Sequence, residues 1–157
     1  MPERFVADHA LERLAQRLRL AGYDVRSARG ARLDELYEVA AREDRIVLTP
    51  SHRHPARFGA VPAVVVPRED VRAALRVVAG RYQPGGPSFS RCLLCNTSLE
   101  RRHAIEAAGE VPGRVTRTFR ELSHCPTCGR WYWEGTHVAR LRAWLVDALG
   151  AGATGDG

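Results

Sequence analysis

Apolar positions in the first half of the chain come in short blocks that alternate between extended runs and a period of about 3.6 residues. Phe5-Val6-Ala7 reads as a strand ending on Asp8, and Leu11, Leu14, Ala15, Leu18 and Ala21 follow at helical spacing until Gly22. Tyr23 to Ala28 is a second extended segment. Beyond a loop rich in Arg and Gly, Asp34 is placed to cap a helix with Leu36, Tyr37, Val39 and Ala40 on its apolar face. Arg45 to Thr49 is a buried-type strand, Pro50 to Phe58 a polar loop rich in His and Arg, and Ala63 to Val66 a fourth strand. Glu69 to Ala79 then forms a helix that buries Val71, Leu75, Val78 and Ala79. This alternation predicts right-handed βαβ units, hence an α/β domain with a largely parallel sheet and ligand sites at the carboxyl ends of its strands.

The pattern breaks at Gln83-Pro84-Gly85-Gly86-Pro87-Ser88, which neither helix nor strand tolerates. The expected division is a domain at 1–82, a linker at 83–90, a second module at 91–149 and a disordered tail at 150–157. A helix from Thr136 to Leu149 carries Val138, Leu141, Leu145 and Leu149 on one face, which calls for a surface from either module.

All four cysteines fall in the second module, as Cys92-Leu93-Leu94-Cys95 and Cys125-Pro126-Thr127-Cys128 with 29 residues between the pairs. A two-residue gap lets both sulfurs of one tight turn reach one ion, so two such turns make the four-thiolate site of a zinc ribbon. Four thiolates fill a tetrahedron and leave no position for water; this zinc holds a fold and performs no hydrolysis. His103, His124 and His137 stay outside the ligand set. Trp131, Tyr132 and Trp133 are expected to cover the metal turn and seat the last helix, and their faces suit unpaired bases as well.

Every basic side chain is arginine, with 24 cations against 18 acids and a net charge of +6, and both modules share the excess. Arginine presents a planar fork suited to phosphate, which points to nucleic acid as a partner. Arg13 and Arg17, one turn apart on the first helix, and Arg53 in the polar loop are the candidate phosphate contacts, with His52, His54 and Arg57 beside them. No apolar run reaches the roughly 18 residues of a membrane span, and the cysteine usage suits a reducing cytoplasm. Chemistry is expected from acids at strand ends: Asp8 after the first strand, with Asp34, Glu35 and Glu38 opening the second helix. Meeting in one cleft, they would hold Mg²⁺ or Mn²⁺, which take oxygen ligands.

The runs FVADHALERLAQRLRLAGYDV, DELYEVAAREDRIVLT and CLLC…CPTCGRWYWEGTH, in that order, resemble the RNase domain at the C-terminus of the Mut-seven exonuclease and its stand-alone bacterial relatives. The resemblance implies a PIN-like nuclease fold followed by a zinc ribbon, and metal-dependent cleavage of RNA. It also implies three acids: at the end of strand one, near the start of a following helix, and just past strand three. The first matches Asp8 and the second Asp34, with Glu35 and Glu38 nearby. The third does not match, because the family pattern of Thr, any residue, then Asp reads here as Thr49-Pro50-Ser51. His52 or His54 can stand in, although imidazole suits Mn²⁺ or Zn²⁺ better than Mg²⁺. Two other functions fit the same chain: an RNA-binding module with a degenerate site at Ser51, or a protein-interaction module docking through the ribbon and last helix.

Overall fold

A computed structural model of the chain describes residues 2–150. The expected tail at 150–157 lies, apart from Gly150, outside the described residues. The first half is built from β1 (Arg4–Asp8), α1 (Glu12–Leu20), β2 (Asp24–Ala28), α2 (Leu33–Glu43), β3 (Ile46–Thr49), β4 (Ala63–Val65) and α3 (Val71–Arg81). Its four strands form one parallel sheet in the order β2-β1-β3-β4.

The pleat sorts side chains between two layers. Phe5 and Ala7 join the core made with Leu14 and Leu18 of α1 and Leu75 of α3, whereas Val6 and Val47 pack with Leu36, Tyr37 and Ala40 of α2. Asp8, two residues beyond Val6, continues the α2 side. The chain thus leaves β1 through α1 on one face and reaches β3 through α2 on the other. The crevice between the carboxyl ends of β1 and β3 is therefore the topological switch point, where open α/β sheets take ligands. The start of α2 differs in detail from expectation: the Arg32 amide donates to Glu35 Oε2 at 3.2 Å, so Glu35 and not Asp34 satisfies that end of the helix.

The second half contains β5 (Glu100–His103), α4 (Gly113–Thr118), β6 (Glu121–His124), β7 (Trp131–Tyr132) and α5 (Thr136–Leu149). Its three strands are antiparallel in the order β5-β6-β7 and cover a small core of Ala104, Ala107, Val115 and Leu122, closed by Phe119, Trp131 and Trp133. The surface that α5 requires comes from the first half: Leu145 and Ala148 enter the α1–α3 core, Arg76 Nε donates to the Ala148 carbonyl at 2.6 Å, and Arg72 pairs with Asp147. The segment expected as a linker is packed too. The Phe89 amide donates to the Leu20 carbonyl, and Gly22, with φ +98°, passes so near Gly86 that a Cβ would stand 2.1 Å from its carbonyl oxygen. Only glycine fits there.

Candidate functional site

Two places in the fold gather chemistry. The first is the thiolate centre. The Sγ atoms of Cys92, Cys95, Cys125 and Cys128 all lie within 4.8 Å of one another, and Cys92 and Cys128 are 3.8 Å apart. A tetrahedron with metal–sulfur bonds of about 2.3 Å has edges of about 3.8 Å, so the donor set fits a metal such as zinc in both type and spacing. The two turns are built alike. The amides of Asn96 and Gly129 donate to the carbonyls of Cys92 and Cys125, and both residues take positive φ, 66° and 78°. Amides of each turn also point at its first sulfur, as in the 3.4 Å bond from Cys95 N–H to Cys92 Sγ.

The Tyr132 hydroxyl reaches Cys92 Sγ at 3.1 Å. Burial pushes the Cys92 thiol up, but that hydroxyl and the amides of Cys95 and Leu94 outweigh it and bring it down to about 7. Burial and the neighbouring sulfurs push Cys95 up to about 12, and burial raises Cys125 as well. The Cys92 thiolate is thus easily formed while Cys95 and Cys125 resist adding like charge, which is the electrostatic strain a dication relieves.

The first cysteine turn is bolted to the parallel sheet by polar groups that were not predicted. Buried Arg19 donates to the carbonyl of Val25 at 2.8 Å, to that of Leu93 at 2.6 Å and to Ser27 Oγ at 2.6 Å. Asn96 accepts from the Val25 amide at 3.0 Å and donates to Asp24 at 2.6 Å, where Arg45 also binds at 2.8 Å. A signal for Arg19 was available, because it continues the i, i+4 series Leu11, Ala15 on the buried stripe of α1.

The second place is the carboxyl edge of the sheet. Parallel pairing sets Ala7 beside Leu48, so the ends of β1 and β3, with Asp8 and Thr49, are level. Asp8 Oδ1 accepts from the Ala10 amide at 3.0 Å and lies 3.3 Å from His9 Nδ1, so one oxygen starts the turn into α1. Asp34, half-buried, and exposed Glu38 stand one turn apart on α2, and Glu38 is paired with Arg57. Ser51 turns its hydroxyl inward to the loop, where Oγ accepts from the Arg53 amide at 3.2 Å. His54 lies against Tyr37 at 4.8 Å between ring centroids, and its Nε2 is 2.8 Å from the Phe58 carbonyl. His54 therefore staples the loop through Nε2.

Among the described residues, the four cysteines are the group of three or more metal-type ligands brought within 4.8 Å; Asp8, Asp34 and Glu38 do not form one. Ser51, where the resemblance implies a third acid, supplies no charge to join them.

The expected phosphate contacts separate. Arg13 is exposed and borders a cleft of about 200 Å³ with Arg68 and Glu69, whereas the Arg17 guanidinium lies 4.7 Å from the Trp144 ring of α5. Arg53 is exposed on the loop between β3 and β4. No helix is long and apolar enough to cross a membrane among the described residues.

Compared with known protein families, the chain matches the Mut7-C RNAse domain over residues 3–145. Neither a curated protein nor a solved structure shows a match. The matched span takes in the parallel sheet, the switch-point crevice, both cysteine turns and the greater part of α5. This chain belongs to the Mut7-C RNAse domain family.

Proposed function

We propose that this chain acts on single-stranded RNA as a ribonuclease-type domain, PIN-like in its sheet, in which cleavage is held back at position 51. The observation that carries this reading is the switch-point crevice itself. Asp8 stands at its β1 side, and the loop leaving β3 offers the Ser51 hydroxyl, already engaged by the Arg53 amide, where the family pattern places a carboxylate. Arg13, Arg53 and Arg68 surround that edge and suit backbone phosphate. The cysteine centre holds structural zinc in a reducing compartment such as the cytoplasm, and its closed donor set takes no part in the reaction.

The test is binding of labelled single-stranded RNA across a salt series. A steep fall of affinity with salt supports the reading, and no binding at low salt overturns it. A second reading, a ribonuclease active as it stands, is favoured by Asp34, which lies unpaired among the described residues on the α2 side shared with Asp8. Cleavage by the wild type in Mn²⁺ that Asp8→Asn abolishes would establish the second reading over the first.

A further inference from the structure

In the second half of the chain, α4, β7 and the first turn of α5 enclose an open groove of about 570 Å³. Its walls carry Phe119, Trp131, Tyr132 and Trp133, its rim carries Arg114 and Arg140, and no carboxylate lines it. In a chain with 18 acids that sign purity is informative, because half of the other arginines stand beside a carboxylate. Arg114 and Arg140 are exposed, and neither pairs with an acid among the described residues. The rings are held rather than loose: Trp131 Nε1 donates to Glu110 at 2.6 Å, and its ring lies 4.4 Å from His124. Trp131, Tyr132 and Trp133 are each half-buried and line the groove, and the two tryptophans also pack against the small core. At the groove's end α5 begins on Gly135 with no side-chain cap and no acid in its first turn, which adds positive potential of the same sign.

We infer that this groove binds single-stranded RNA, with bases against Trp131 and Trp133 and phosphates on Arg114 and Arg140. Fixed aromatic faces beside unpaired guanidiniums form the combination that holds one strand without reading its sequence. A duplex keeps its base faces inside the stack, so the groove selects unpaired RNA. A protein partner of ordinary composition would bring apolar side chains for the rings and acids for the rim at separate points; a nucleotide chain brings both at every step. The inference rests on the ribonuclease-type reading and extends it, since the groove lies in the second half of the chain, apart from the carboxyl edge.

The experiment is fluorescence anisotropy with the full chain and a fluorescein-labelled single strand about 12 nucleotides long. Arg114→Ala/Arg140→Ala should weaken binding about tenfold and reduce the slope of log affinity against log salt by about 1.4, the value for two phosphate contacts on a single strand. Trp133→Leu should weaken binding about fivefold or more with the slope unchanged. A charge-matched control, Arg42→Ala/Arg81→Ala, removes two exposed arginines outside the groove and should change affinity less than about twofold. Equal losses in the groove and control pairs would overturn the groove while leaving RNA as the partner. No binding by the wild type would overturn the ribonuclease-type reading and this inference together. A dimer in sedimentation that the groove pair dissociates would assign the face to a second copy of the chain and overturn the RNA assignment.

Discussion

Arg19 carries a full charge into the contact between the two halves of the molecule at 1% exposure. It is tolerable there because three acceptors and the nearby Glu12 carboxylate, 3.5 Å away, surround the guanidinium. Arg19→Leu keeps the volume but strands those acceptors and Glu12, whose Oε1 is buried without a hydrogen bond. Chemical denaturation should show a loss of about 3 kcal/mol. Asp24 adds a pH dependence to the same contact. Burial pushes its carboxyl up, but hydrogen bonds from Arg45 and Asn96 and the charges of Arg45 and Arg91 outweigh it, so it titrates below its ordinary value. A carboxyl lowered on folding contributes stability in full above the unfolded value of about 3.9 and loses it as pH falls through the folded value. Stability measured from pH 6 downward should therefore decline below about pH 4, and Asp24→Asn should flatten that part of the curve.

At the level of elements, the crossing of α1 by the Pro- and Gly-rich segment depends on one residue. Gly22→Ala would drive a Cβ into the Gly86 carbonyl while straining a backbone at φ +98°. It should destabilise by at least about 2 kcal/mol in thermal unfolding, whereas Gly30→Ala, which meets nothing within 4 Å, should lose about 1 kcal/mol from backbone strain alone. The elements legible in the sequence are those with a buried face. β1, β3 and the apolar stripes of α1, α3 and α5 announce themselves by periodicity because the core lies against them. β5 could not be read this way: Glu100, Arg101, Arg102 and His103 are all exposed, and their strand exists through pairing to β6 and the closure of the cysteine turns. Asp8 was legible as an acid ending an apolar strand. The engagement of Ser51 and His54 within their own loop was not, since it depends on turn geometry and on Tyr37 from a distant helix.

For the whole molecule, the cysteine centre and the parallel sheet form one cooperative system. Leu93 and Asn96, on the first cysteine turn, are hydrogen-bonded to Arg19, Val25 and Asp24 of the first half, and α5 returns from the second half into the first core. Removing bound metal with a chelator should therefore unfold the cysteine turns and also raise hydrogen exchange at β2, with one metal ion released per chain. Unchanged protection at β2 would separate the two halves. On the function proposed above, Asp8 at the switch point serves a ribonuclease-type reaction, and Ser51 stands where the family resemblance implies a third carboxylate. The most direct test is single-turnover cleavage of single-stranded RNA in Mn²⁺ by the Ser51→Asp variant. The account predicts a rate at least about tenfold above wild type, lost again when Asp8→Asn is added. Equal rates for wild type and Ser51→Asp would contradict it.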